Sequence, residues 1–229
     1  MRKIYTSIDI GSDTIKFLVG EEKDGKVYVL SAHTIKSKGI RKGLIVDSNL
    51  VVNTIKDGIK KIEDDLGIVI KKVLVNVPDY NVKFMYVTGK VEIADKVTTE
   101  DINKVIKTSV YGKIDKEYEL VTVIPLEFMI DETEGIEYPY NMEGKELGLK
   151  GIMVSVPKKN IYSVIGVIEG AGLEVVDIVL SGMADYQQIR NKKLDEKIGA
   201  IINLGHETTN VSIINNGKLM NTETIQLGG

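Results

Sequence analysis

Apolar residues dominate positions 4–10, give way to Gly11-Ser12-Asp13 and resume over 15–20, which predicts two strands joined by a tight turn. A third β-rich run, 27–35, follows the turn Lys23-Asp24-Gly25, so three consecutive strands form an antiparallel meander. The period then changes. Leu50, Val51, Ile55, Ile59, Ile62 and Leu66 recur at helical spacing, with Asp47 or Ser48 placed to cap the start and Gly67 to end the helix. Residues 73–77 form a short buried strand before Pro78, completing the order βββαβ.

Between about residues 81 and 154 the order becomes strand, helix, long strand, polar excursion, strand, and the region is read as a small inserted subdomain. Thr98 followed by Asp101 forms a capping box ahead of Ile102, Val105 and Ile106. Residues 131–150 are rich in turn formers and acid, which predicts a surface excursion. Within it, Asp131, Glu132, Glu134 and Glu137 read as a solvated face, and Tyr138-Pro139-Tyr140 as a turn with two packed aromatics. After the insertion, Ile161, Val164, Ile165 and Ile168 line a helix ending near Gly172, and 174–180 is a buried strand. A helical stretch, 183–190, and the charged residues 191–197 lead to Ile198.

There the opening motif returns. Asn203 falls on Asp9, Gly205 on Gly11, Glu207 on Asp13 and Thr208 on Thr14, with apolar residues aligned around them, and Gly217-Lys218-Leu219 falls on Gly25-Lys26-Val27. A single long-period repeat means a duplicated lobe, not a solenoid. The chemistry of such a hairpin favours phosphate. At the strand end Asp9 can hold a hydrated Mg²⁺, and Gly11 lets the backbone approach a phosphate that successive N–H groups and the Ser12 and Thr14 hydroxyls can bond. Lys16 adds positive charge. Two such turns on facing lobes would clamp the β- and γ-phosphates from both sides.

Composition narrows the alternatives. With 229 residues, 43% hydrophobic and 28% charged, the chain can bury a core of one or two domains. A net charge of -3 and scattered lysine pairs offer no basic face, so no nucleic-acid partner is expected. Cysteine is absent and His33 and His206 are the only histidines, which excludes disulfides, thiolate metal sites and a histidine cluster within one chain. No apolar run approaches a membrane span, and Met1-Arg2-Lys3 leads into alternating residues without the apolar segment of a secretion leader. A cytoplasmic location is expected.

The stretch from Ser7 to Lys16 resembles the first phosphate motif of the actin, Hsp70 and sugar-kinase class, and that from Asn203 to Thr209 resembles the second. Within that class the chain is most similar to the FtsA family of bacterial cell-division proteins. Ser37-Lys-Gly-Ile-Arg-Lys-Gly-Leu-Ile-Val-Asp47 is similar to that family's S-x-G-[LIV]-x-x-G-x-[IV]-x-D stretch, and the insertion lies where the family carries its subdomain IC. The resemblance implies an α/β, actin-like (ribonuclease H-like) fold. Residues 1–82 plus 155–190 would form subdomain IA, 83–154 the inserted α+β subdomain IC, and 191–229 the start of an incomplete IIA.

It further implies a scaffold that binds ATP with Mg²⁺, polymerises, and links the FtsZ ring to the membrane and to later division proteins, the latter through IC. Carried over by position, Asp9, Gly11, Ser12, Thr14 and Lys16 make the first phosphate loop, with Asp9 toward the metal. Asn203, Gly205, His206, Thr208 and Thr209 make the second, and Gly228 and Gly229 open a segment that meets the nucleotide from the far lobe. No catalytic residue is assigned. Asn203 stands where the class usually has Asp, and Ser181 where an acid often orients the attacking water, with Asp185 nearby, so brisk hydrolysis is not expected.

Family members continue past Gly229 through the rest of the second lobe to a C-terminal amphipathic membrane helix. The chain is therefore expected to be a fragment that binds ATP weakly or not at all by itself. Its second lobe is expected to expose apolar surface and a free strand edge, with self-association or disorder beyond about Lys192. Two other readings remain: a non-polymerising pilus-assembly adaptor of the PilM type, with the same core and an insertion at the same place, and a small-molecule kinase. The Ser37–Asp47 stretch favours the FtsA type, and no general base for a kinase is visible.

Overall fold

In the computed structural model, which describes residues 3–229, the opening alternation becomes β1 (Lys3–Ile10) and β2 (Thr14–Lys23), followed by β3 (Lys26–Lys36). Met1 and Arg2, where the leader reading begins, lie outside the described residues. The three strands pair antiparallel, with Asp9 opposite Lys16 and Ile10 opposite Ile15. The βββαβ order has one addition: β4 (Ile40–Arg41) and β5 (Leu44–Ile45) form a two-residue-loop hairpin ahead of the helix. Strands this short carry no periodicity, so only the glycines at 39 and 43 marked the place.

Helix α1 (Ser48–Leu66) starts where Asp47 accepts the Leu50 N–H at 3.1 Å and ends at Gly67, whose φ of 64° reverses the chain. It lays Val51, Ile55, Ile59 and Ile62 on Ile8, Ile15, Phe17 and Val19 of the sheet. The Phe17 ring presses on the helix backbone itself: a Cβ on Gly58 would lie 2.3 Å from it. β6 (Lys72–Val77) then enters the sheet parallel to β1.

The insertion runs β7 (Lys83–Glu92), α2 (Thr99–Val110), β8 (Tyr118–Ile130), β9 (Thr133–Ile136) and β10 (Glu146–Pro157), forming an antiparallel sheet of order β7-β10-β8-β9. The Thr98–Asp101 capping box is present. Two expectations fail here. The excursion ends at Lys145, not Lys150, because β10 already starts at Glu146 and fully buries Leu147 and Leu149 against Val91, Val105 and Phe128. Tyr138 and Tyr140 are not packed; they are 79% and 65% exposed, on a turn closed by the Met142 N–H to the Pro139 carbonyl. The far half of β10 buries Ile152, Val154 and Val156 in the main core, so a single strand serves both cores.

From there α3 (Lys158–Gly170) packs beside α1, and β11 (Glu174–Leu180) completes a five-stranded sheet of order β11-β6-β1-β2-β3. Helices α4 (Ser181–Ile189) and α5 (Lys192–Asp195) lead to an antiparallel sheet of β12 (Ile198–Leu204), β13 (Thr209–Asn215) and β14 (Lys218–Ile225). The stretch beyond Lys192 is therefore built of regular elements, not disordered, because Ile214 and Leu219 are buried with Tyr186 of α4 and packed by Phe84 and Ile124 of the insertion. The exposed apolar surface is as expected, with Ile198, Ile202 and Leu204 open to solvent on β12. Among the described residues no helix is long and apolar enough to cross a membrane.

Because Phe17 is fully buried between β2 and α1, Phe17→Ala should cost about 3–5 kcal/mol of unfolding free energy. Urea denaturation measures this as a lowered midpoint at unchanged slope.

Candidate functional site

Two turns with the same local chemistry face one another. After β1 the Gly11 N–H donates to the Thr14 carbonyl at 3.1 Å, and after β12 the Gly205 N–H donates to the Thr208 carbonyl at 2.9 Å. In both, a Cβ on the glycine would lie 2.8 Å from that carbonyl oxygen, so the turn closes only on glycine. The strand registers agree as well, with Asp9 opposite Lys16 and Asn203 opposite Asn210. Closing each turn through its glycine leaves the next amides over. Among the described residues, the N–H groups of Ser12, Asp13, His206 and Glu207 take no protein partner.

The turns flank a cavity of about 530 Å³. From the residues singled out in the sequence, Asp9, Gly11, Ser12, Thr14, Lys16, Asn203, Gly205, His206 and Thr208 line it, whereas Thr209, Gly228 and Gly229 do not. Those three brace the second turn from behind. The Thr209 hydroxyl donates to the Leu227 carbonyl at 2.7 Å, the Gly229 N–H donates to the Gly205 carbonyl at 3.0 Å, and Gly228 lies flat against His206 with no room for a Cβ.

Charge at the mouth is largely paired. Lys16 contacts Asp9 at 3.0 Å, Lys36 pairs with Asp13, and His206 Nε2 lies 3.9 Å from the same Asp13 carboxylate across the cleft. The Lys36 hydrogen bond is the main reason the Asp13 carboxyl is held below the usual carboxylate range. These pairs are exposed and orient side chains more than they stabilise the fold.

The floor of the cavity adds Asn76 and Asp79, which the sequence did not flag, to Ser181 and Asp185, which it did. Asn76, at the end of β6, accepts the Ile10 N–H at 2.9 Å and donates to the Ser181 hydroxyl at 3.0 Å. Asp79, only 2% exposed, accepts the N–H groups of Ser181 and Gly182 at 3.0 and 2.7 Å, taking the first turn of α4. Its own carbonyl accepts the Thr224 hydroxyl of β14 at 2.7 Å. Asp185 accepts from the Asn203 side-chain amide at 2.7 Å. The one sequence signal available was a Pro78-Asp79 pair directly after a buried strand; Asn76 had none.

This donor set suits a polyphosphate: unpaired amides, the hydroxyls of Ser12, Thr14 and Thr208, and the Lys16 ammonium. A divalent cation would rest on Asp9, the phosphates and water, since the described residues contain no group of three or more metal-binding side chains.

A protein-family model described as "SHS2 domain inserted in FTSA" matches residues 80–155, the span of β7 to β10. The chain is 30% identical over 228 residues to "Cell division protein FtsA" of Streptococcus pneumoniae serotype 2, covering 98% of this chain and 50% of that protein. It is 29% identical over 232 residues to FtsA of Bacillus subtilis strain 168, covering 99% and 52%. Over 98–99% of its length the chain is similar to FtsA proteins. It spans about half the length of the curated FtsA proteins it matches.

Solved structures carry the fold further than FtsA itself. A chain of the "PilM-PilN type IV pilus biogenesis complex" superposes with a TM-score of 0.66 at 12% identity, covering 98% of this chain and 62% of that one. The ethanolamine utilization protein EutJ of Carboxydothermus hydrogenoformans gives 0.56 at 15%, covering 99% and 53%. The fold is actin-like, with an FtsA-type insertion after β6.

The buried Asp79 has a measurable signature. Burial pushes its carboxyl up to about 6, against the pull of the Gly182 and Ser181 amides, with the charge of Asp185 adding to the rise. A raised folded-state pKa stabilises the protein fully below the unfolded value near 3.8 and loses that contribution as pH rises through about 6. The loss from Asp79 between pH 4 and pH 7 should be about 2 kcal/mol. Urea unfolding across that range should show a steeper decline for the wild type than for Asp79→Asn; parallel profiles would exclude Asp79 as the titrating group.

Proposed function

We propose that the cleft binds Mg-ATP, with the phosphates held between the Gly11 and Gly205 turns, and that the full-length protein is an actin-like scaffold of bacterial cell division. The observation that carries the nucleotide reading is the repeated turn, in which a glycine closes onto a threonine carbonyl and leaves the following amides for an anion. The division role rests on the FtsA proteins it resembles across 98–99% of its length.

On this reading Asp9 orients the cation, Ser12, Thr14 and Thr208 bond phosphate oxygens, and Lys16 moves from Asp9 toward the ligand. Hydrolysis is slow. Asn203 is neutral where a second acid would serve the metal, and its amide occupies Asp185. At the connecting position Ser181 offers only a hydroxyl, held by Asn76. Nucleotide binding supports assembly into filaments at the inner face of the membrane, with FtsZ and later division proteins as partners, the latter meeting the inserted subdomain. Membrane attachment is assigned to a helix outside this chain. The PilM-like structure supports a shared fold and, at 12% identity, no more than that.

Calorimetric titration of Mg-ATP into the full-length protein should show binding that Asp9→Ala weakens about tenfold or more. Absence of binding to either form would sink the nucleotide reading. Recovery of pilus-membrane proteins without FtsZ in a pull-down would replace the division role with the PilM-type one.

A further inference from the structure

The Ser37–Asp47 stretch, which the sequence singled out only as a family mark, has a place in the cleft. Its β4–β5 hairpin turns on Lys42 and Gly43, whose φ values of 49° and 74° give a turn of the mirror-image type used in tight hairpins. Such a turn leaves the N–H groups of its two central residues outside the strand pairing. Here each is used to reach a different lobe. The Gly43 N–H donates to the Ser12 hydroxyl at 2.8 Å, and the Lys42 N–H donates to the Glu207 carboxylate. The hairpin base is fixed to the first lobe by the Ser37 N–H on the Asp13 carbonyl at 2.8 Å, and its two arms are closed on each other by the Val46 N–H on the Gly39 carbonyl at 2.9 Å. Its tip therefore bridges the first and second phosphate turns and itself lines the cavity.

The lysines around the turns are not equivalent. Lys16 is neutralised by Asp9 and Lys36 by Asp13. The Lys42 ammonium instead contacts a neutral acceptor, Gln226 Oε1 at 3.2 Å, and among the described residues no carboxylate pairs with it. A hydrogen bond to a neutral amide is readily exchanged for one to phosphate, which is charge-assisted and stronger. The Ser12 hydroxyl, accepting from Gly43, still has its proton to donate to the same ligand.

We propose that Lys42 is a phosphate-binding residue outside both duplicated loops, its ammonium moving from Gln226 to the terminal phosphate of the nucleotide at the point where the hairpin joins the two turns. The inference rests on the nucleotide reading above. It adds a consequence that reading lacks: the hairpin makes the cleft prefer the triphosphate to the diphosphate.

Mg-ATP and Mg-ADP titrations into the full-length wild type, Lys42→Met and Lys42→Arg test it. Lys42→Met should lose about tenfold in ATP affinity while its ADP affinity changes less than about twofold, and Lys42→Arg should keep most of the preference for ATP. Lys42 is exposed, so unaltered melting of the ligand-free variants is expected and separates loss of binding from loss of fold. A wild type that binds both nucleotides and a Lys42→Met with the same ATP-to-ADP ratio overturns the role of Lys42 alone. A wild type that binds neither overturns the nucleotide reading and this inference together.

Discussion

The buried carboxylate of Asp79 is the contact on which the arrangement of the cleft depends. It sits at the end of β6 in the first lobe, caps the first turn of α4, and through its backbone carbonyl holds Thr224 of the second-lobe sheet. The site is tight enough that a Cβ on Gly182 would lie 2.4 Å from the Ser212 hydroxyl and 3.2 Å from the carboxylate. Three elements that are distant in sequence thereby meet at one buried residue, beneath the two glycine-closed turns. A carboxyl group kept in so dry a place stays partly protonated into the range near pH 6, so the joint between the lobes titrates there.

At the opposite end of the cavity the β4–β5 hairpin makes a second, weaker connection. Its bonds are single, from one turn to Ser12, Glu207 and Gln226, and the latter two are exposed. A buried joint at the floor and an exchangeable tie at the mouth are the ingredients of a cleft that opens about one end. A ligand bound at the mouth competes with bonds that are cheap to break, and one bound at the floor would have to displace groups that water cannot easily replace.

The inserted subdomain follows a different logic. It shares β10 with the main core: Leu147 and Leu149 pack inside the insertion and Ile152, Val154 and Val156 beneath α3. The strand passes from one core to the other at Lys150–Gly151, where its pairing with β8 shifts register. Lys218 of β14 adds a bond to the Leu126 carbonyl of β8, tying the insertion to the second lobe as well.

Much of this was legible in the sequence wherever the cause is local. Period-2 and helical spacing gave the sheet strands, α1 and α3; Asp47 and Gly67 gave the ends of α1; and the glycine-centred repeat gave both turns, because a backbone that closes onto a carbonyl 2.8 Å from a missing Cβ admits only glycine. The failures share one cause too. Leu147 and Leu149 sat among acids and glycines that mask a strand, Tyr138 and Tyr140 lay in a turn whose burial no local pattern decides, and the two-residue strands of the hairpin have no period. The roles of Asn76, Asp79, Lys42 and Glu207 exist only between segments separated by up to 184 positions, as the Lys42–Gln226 bond is. Sequence alone thus determined the conformation of each glycine-closed turn, since that is fixed by sterics within four residues. Tertiary structure decided what the turns face and which lysine is left without an anion, because those depend on desolvation and on partners that only the folded chain brings together.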